Sequence, residues 1–386
     1  MIEALRTYRL QHQLAESFGF SQWHYRTRQA LLIEVVDSSG ASGWGECYGP
    51  AAVTQTAIDS FYAPLLLGWD ALKNEAAWQH LWRASLDFAR QGIMRRAMSG
   101  LDMALLDLKG KLLATSASEL LGGRVRNHVP CYATGMYFRK QPEPQLLETI
   151  LTEAAGYVEQ GFQALKIKVG KNLAFDRRQI KAMREEFPST RLMADSNHAF
   201  DLPEAIAIGR VLTEEDYGWF EEPLSPQHPE LFRQLAAKVD IPIATGECEQ
   251  TRWGFQELLS RGGVHIAQPD LAYCGGPTEA VKIRSIASSH GVNVIPHCWG
   301  TQLNLASATH FLATTYVEPG RAEPAEPMLE VDRTPNPLRD ETFEIGMELQ
   351  GGVAVVPSGP GLGVEPHRAA IERFCVQTTE RVDGDE

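Results

Sequence analysis

Seven polar residues recur at nearly even intervals through the second half of the chain. Lys168, Asp195, Glu221, Glu247, Asp270, His297 and Glu330 are separated by 27, 26, 26, 23, 27 and 33 residues. Each closes a short apolar run, in order ALKIK, RLMAD, YGWFEE, IPIATGE, VHIAQPD, VNVIPH and PMLE. Asp195, Glu221 and Glu247 end consecutive runs, so their tips can converge. Carboxylates packed together repel unless a cation neutralises them, and an oxygen-only set suits Mg²⁺. Any one of these acids alone reads equally well as an ordinary salt bridge. Lys166 and Lys168 lie two apart and share one face of a strand. Beside each other and a divalent ion they should lower each other's pKa, leaving one neutral enough to act as a base; otherwise they are two solvated lysines. Asp270 can fix the tautomer of His297 and free its second nitrogen for proton transfer. Glu330 reads as a neutral acid able to donate to a developing oxyanion. Asn197, two residues beyond Asp195, is a candidate substrate contact.

Together these groups describe one reaction type. A metal ion and Lys166 hold a carboxylate substrate, and Lys168 or His297 removes the proton next to that carboxylate. The enediolate is then stabilised by preorganised charge, each donor being worth roughly 3–4 kcal/mol.

The elements that must position these residues follow from pattern. From about Val129, apolar runs alternate with amphipathic stretches such as PQLLETILTEAAGYVEQ and PTEAVKIRSIASSHG. Repeated β-α units imply a parallel sheet, and eight of them closing on themselves imply a TIM-type barrel of about 250 residues, whose active site lies at the strand C-termini. The first stretch is α+β: LLIEVV, the turn DSSGASG and the segment from Trp44 to Cys47 read as a hairpin. Helical period then runs from about Thr54 to Leu121, with Leu101, Leu105, Leu108 and Leu112 on one stripe. GVAVVPSGPGLGVEP reads as a further strand and turn returning to the N-terminal domain. The expected organisation is 1–126 as an α+β capping domain, 127–340 as the barrel and 341–386 as the returning segment.

Composition bounds the partners. The 386 residues carry a formal charge of −13, which disfavours nucleic acid. No run of about 18 apolar residues suggests a membrane span. The N-terminus lacks the apolar core of a secretory signal, and the six cysteines are scattered with no C-x-x-C pair, so reduced thiols in the cytoplasm are expected. No P-loop, H-E-x-x-H or G-x-S-x-G is present.

The motifs KIK, MADSN, WFEEP, TGE, QPD, PHCWG and MLEVD, with SGWGE, GLDMALLDLKGK and PGLGVE, resemble the enolase superfamily, mandelate racemase subgroup, over nearly the whole chain. That resemblance implies one Mg²⁺ per subunit, a capping domain whose loops close over the barrel mouth and set specificity, and a homo-oligomer. Those loops would be Phe18 to Arg26 and Glu46 to Ala52, with His24, Tyr25 and Tyr48 as candidate substrate contacts. Within the subgroup, SGWGECYGP, YATGMYFR, PHCWGTQ and EPMLEVDRTPNPLR look most similar to galactarolactone cycloisomerases, implying ring opening of an aldarate lactone to a 3-deoxy-2-keto diacid. The same groups also serve acid-sugar dehydration and racemisation or epimerisation. A Schiff-base aldolase is disfavoured by the three carboxylates in step, and a non-catalytic sugar-acid binder would not need the Asp270–His297 pair.

Overall fold

Alternating apolar and polar residues from the N-terminus form two long antiparallel strands, β1 (Ile2–Gly19) and β2 (His24–Asp37), followed by β3 (Ser42–Cys47). These observations come from a computed structural model that describes residues 1–317, 322, 326–345 and 348–384. The β2–β3 hairpin is the one expected from LLIEVV and its turn. The strand β1 was not expected, and its hairpin tip carries the Phe18 to Arg26 segment to the mouth of the barrel.

The helix Ile93–Leu112 lies on this sheet with Leu101, Leu105 and Leu108 buried beneath it. The approach is close enough to demand glycine. A Cβ on Gly45 would stand 2.0 Å from the Gly100 carbonyl oxygen, and one on Gly43 2.2 Å from that of Ala104.

Eight parallel strands follow: β4 (His128–Thr134), β5 (Ala164–Lys168), β6 (Arg191–Asp195), β7 (Phe220–Glu221), β8 (Ile243–Thr245), β9 (Ile266–Ala267), β10 (Asn293–Val294) and β11 (Leu329–Asp332). They are neighbours in chain order from β4 to β10, and β11 pairs with β4. Helices connect them, including Glu143–Glu159 and Pro277–Ser289, which match the two amphipathic segments read from sequence. The fold is therefore a TIM-type barrel with an N-terminal capping unit. No helix among the described residues is long and apolar enough to cross a membrane.

The tail departs from expectation in the first strand of GVAVVPSGPGLGVEP. Val353–Val355 pairs antiparallel with the start of β4, under the barrel, rather than with the cap. The strand that rejoins the cap is Cys375–Val382, antiparallel to β1. The glycine-rich loop between them reaches the cap helix, where Leu362 N–H donates to Asp107 Oδ1 at 2.8 Å. The last two residues of the polar tip, 385 and 386, lie outside the described residues.

Candidate active site

The barrel interior explains why the polar residues converge. Tyr132, Ala164, Met193, Trp219, Ala244, Ile266, Ile295 and Met328 form a buried apolar layer across it. Along a strand, residues two apart share a face. Two positions beyond that layer come Thr134, Lys166, Asp195, Glu221, Gln268, His297 and Glu330, a polar layer stacked on the apolar one. All of them are buried.

The contacts within the layer are dense. Lys166 Nζ lies 2.5 Å from Glu221 Oε1 and 2.8 Å from Glu330 Oε1, above the ring of Tyr132 at 5.4 Å. Lys168 Nζ bonds Asp195 Oδ2 and donates to Asn197 Oδ1 at 3.0 Å. Glu221 Oε2 accepts from Trp219 Nε1 at 2.9 Å and from Gln268 Nε2 at 2.8 Å. Thr134 Oγ1 donates to Glu330 Oε1 at 2.6 Å. His297 Nδ1 is 2.6 Å from Asp270 Oδ2, and its Nε2 is 3.5 Å from Glu247 Oε2. Asp270 is held in turn by Asn304 Nδ2 at 3.2 Å.

Asp195, Glu221 and Glu247 each present an oxygen within 4.8 Å of the others. Glu247 Oε2 is buried without a hydrogen-bond partner. Three converging oxygen donors, one of them unsatisfied, fit a hard divalent cation.

The charge states differ from two expectations. Burial works against the charged form of both lysines, but Glu221 and Glu330 around Lys166, and Asp195 beside Lys168, outweigh it and hold both ammonium groups above their ordinary pKa. Mutual repulsion between the lysines is the smaller effect here, and the expected lowering rests on a divalent ion beside them as well. The environment of Glu330 favours its charged form rather than the neutral acid expected. Burial pushes it up, yet Lys166 and His297 prevail and bring it down to about 2. Burial also disfavours the His297 imidazolium, but Glu247 and the Asp270 hydrogen bond raise it to about 10.

A cavity of about 450 Å³ opens above this layer, lined by residues that include Gln22, Tyr25, Arg28, Tyr48, Arg96, Asn197, His198, Glu247, Cys248, Tyr273 and Trp299. The cap supplies much of its wall. Ser21 Oγ donates to the Ser196 carbonyl at 2.9 Å and Gln22 Nε2 to that of Asn197 at 2.5 Å, so the β1–β2 tip pins the loop after β6. Tyr25 and Tyr48 face the cavity, as expected, and flank Trp299 at 5.0 and 5.9 Å. Tyr48 also lies 5.7 Å from the His297 ring. His24 does not line the cavity. It is exposed on the other face of β2, because strand alternation that turns Tyr25 inward turns its neighbour out.

Sequence reading overlooked several residues here. Glu46, at the end of β3, accepts from Thr301 N–H at 2.9 Å and from Thr301 Oγ1 at 2.6 Å at the start of the helix Gln302–Ala313. That helix carries Asn304, so the cap is wired to Asp270. Thr134 and Gln268 were also missed, although the two-residue register marks both. Arg96 and Trp299 carried no such signal.

Residues 7–122 match the mandelate racemase / muconate lactonizing enzyme N-terminal domain, and residues 149–370 match the enolase C-terminal domain-like family. The chain is 39% identical to the D-galactarolactone cycloisomerase of Agrobacterium fabrum over 97% of this chain and 98% of that one. Among solved structures, the 3,6-anhydro-D-galactonate cycloisomerase from Zobellia galactanivorans superposes with a TM-score of 0.89 at 39% identity, covering 97% and 99% of the two chains. The L-talarate dehydratase from Polaromonas sp. JS666, complexed with Mg and L-glucarate, superposes at 0.85 with 26% identity over 99% of each.

Proposed function

We propose that this chain, which belongs to the mandelate racemase / muconate lactonizing enzyme family of the enolase superfamily, opens an aldarate lactone such as galactarolactone to a 3-deoxy-2-keto diacid. The observation that carries the reading is the pair of proton-transfer groups, Lys168 and His297, at opposite ends of the carboxylate arc: Lys168 contacts Asp195 and His297 faces Glu247. In this reading 1–126 is the cap, 127–340 the catalytic barrel and 341–386 the returning segment. The six free thiols support the expected cytoplasmic setting.

Asp195, Glu221 and Glu247 would hold one Mg²⁺ per subunit. When bound, that ion supplies positive charge against the substrate carboxylate and the enediolate derived from it. Lys166, fully buried and directed by Glu330, adds a fixed positive charge on the carboxylate's other side. Glu330 is thus a positioning residue. In its neutral form, which neutralising Asp195 and Glu247 with a cation would favour, one of Lys168 and His297 removes the proton α to the carboxylate. The ring oxygen on the β-carbon leaves as a carboxylate, which needs no proton. The enol then takes a proton at the β-carbon to become the ketone, so product and substrate are isomers. Asp270 keeps His297 Nδ1–H bound and Nε2 turned toward the substrate. Tyr25, Tyr48 and Trp299 exclude water, and Asn197 orients a substrate hydroxyl.

Arg96 favours a diacid product over a monoacid. Its guanidinium lies in the cavity wall over Tyr273, 3.2 Å from the phenol oxygen, and among the described residues no carboxylate pairs with it. It is suited to receive the carboxylate that ring opening releases. The second reading, opening of an anhydro-sugar acid, is favoured by the 39% identity to the Zobellia enzyme; its leaving group is an alkoxide and leaves Arg96 without a partner. Acid-sugar dehydration is the third.

Incubation with galactarolactone, 3,6-anhydrogalactonate and open-chain sugar acids in D₂O separates these. A ring-opened diacid bearing one deuterium at the former β-carbon supports the proposal. Turnover of the anhydro acid alone, or loss of water from an open-chain acid alone, overturns it.

A further inference from the structure

We propose a second cation site of different chemical character beside the carboxylate cluster: a thiophilic divalent ion, Zn²⁺, held by His198 Nε2, a Glu222 carboxylate oxygen and Cys248 Sγ. The three residues sit on the loops that follow β6, β7 and β8, each one to three positions beyond Asp195, Glu221 and Glu247. Their ligand atoms lie within 4.8 Å of one another.

Two of the three edges match a tetrahedral face. Zinc bonds of about 2.0 Å to nitrogen or oxygen and about 2.3 Å to sulfur set N···O and N···S edges near 3.3 and 3.5 Å. Here His198 Nε2 stands 3.2 Å from Glu222 Oε2 and 3.6 Å from Cys248 Sγ.

The polar inventory is incomplete without a partner at the centre. Glu222 is fully buried, and its Oε1 has no hydrogen bond. Among the described residues its Oε2 has only the His198 ring and a long contact from Asn197 Nδ2 at 3.4 Å. A single ring nitrogen faces both an acceptor and a thiol and can serve one of them at a time. A cation satisfies all three groups together. His198 and Cys248 also line the cavity, so the fourth coordination position opens toward it.

The donor set separates this site from its neighbour. Asp195, Glu221 and Glu247 offer oxygen alone and suit a hard ion, whereas imidazole and thiolate select a softer one. As the ion binds, the thiol proton passes to solvent and a sulfur–zinc bond forms. The inference does not depend on which substrate the enzyme takes.

The test uses full-length protein saturated with Mg²⁺, then titrated with Zn²⁺ against a chromophoric chelator and analysed for metal content. The expected result is one tightly held Zn²⁺ per chain, weakened at least about tenfold in both Cys248→Ser and His198→Asn and retained in Asp195→Asn. Replacing Zn²⁺ with Co²⁺ should give a thiolate-to-metal charge-transfer band in the wild-type protein, which reads the site without any substitution. Failure to retain Zn²⁺, absence of that band, or Zn²⁺ lost in Asp195→Asn but kept in Cys248→Ser overturns the proposal. Melting curves identify a variant that does not fold, in which case the Co²⁺ spectrum of the wild type decides.

Discussion

Asp270 Oδ2 and His297 Nδ1 lie 2.6 Å apart, on the ends of neighbouring barrel strands and with the carboxylate buried. This bond commits Nδ1 and leaves Nε2 facing Glu247, which lines the cavity. His297→Asn removes the proton-transfer group while keeping a polar amide, and kcat should fall by about 10² or more. Asp270→Asn leaves the imidazole in place but reverses the preferred tautomer, and should also lower kcat. Steady-state kinetics on the ring-opening substrate check both. A wild-type rate in His297→Asn makes the histidine structural.

Lys168 reaches the substrate from the Asp195 side, so Lys168→Ala should act on one proton-transfer step only. In D₂O, loss of an α-base at Lys168 should stop both α-exchange and product formation, whereas loss of the β-proton donor at Lys168 should leave α-exchange by His297 in the recovered substrate while ketone formation fails. NMR of the recovered substrate and product distinguishes the two. Unaltered exchange at both carbons would remove Lys168 from the chemistry.

The oxygen cluster predicts metal dependence. Chelation by EDTA should abolish turnover, and Mg²⁺ should restore it. Glu247→Gln should weaken metal binding, since its Oε2 is the unsatisfied oxygen of the set. Calorimetric titration with Mg²⁺ measures the second effect independently of activity. Full turnover in metal-free buffer would sink the assignment of Asp195, Glu221 and Glu247.

Much of this site was legible in the sequence because barrel strands impose two periodicities at once. The interval of one β-α unit placed Asp195, Glu221, Glu247, Asp270, His297 and Glu330 at one rim. The period of two within KIK put Lys166 and Lys168 on one face. Thr134 and Gln268 obey the same period but look like ordinary strand residues until the apolar layer beneath them is known. Glu46 belongs to another element altogether, and its link through Thr301 and Asn304 to Asp270 depends on how the cap docks. The charge states were illegible for a related reason. Whether Lys166 is raised or lowered depends on Glu221 and Glu330 at 2.5 and 2.8 Å, distances that spacing along a chain does not specify. Of the tail, the strand Val353–Val355 was misplaced, because a short apolar run can add to any open strand edge and the start of β4 offered one, whereas Leu362 and Cys375–Val382 do return to the cap.

Arg96 gives a substrate-side prediction. If its guanidinium receives the carboxylate that leaves, Arg96→Gln should lower kcat on an aldarate lactone, with a further rise in KM to the extent that it also binds the ring carbonyl. Turnover of an anhydro monoacid should be unaffected. Parallel kinetics on the two substrates test this, and equal losses on both would reduce Arg96 to a packing role against Tyr273.

The cap–barrel interface contains a carboxylate whose ionisation opposes folding. Asp102, on the helix Ile93–Leu112, is buried and accepts from Thr278 N–H at 2.7 Å, while its Oδ1 has no partner. Burial pushes it up to about 7. Its folded pKa therefore lies above the unfolded value of about 4. Between these two the folded state holds more protons, so stability falls as pH rises through that window, by up to about 1.4 kcal/mol for each pH step of one. Below the window the acid is neutral in both states and nothing is lost. Asp102→Asn keeps the acceptor for Thr278 and removes the charge. It should raise the melting temperature at pH 8, change it little at pH 4, and flatten the decline between. A variant whose melting temperature follows the wild type across the whole range would show that Asp102 carries no linked proton.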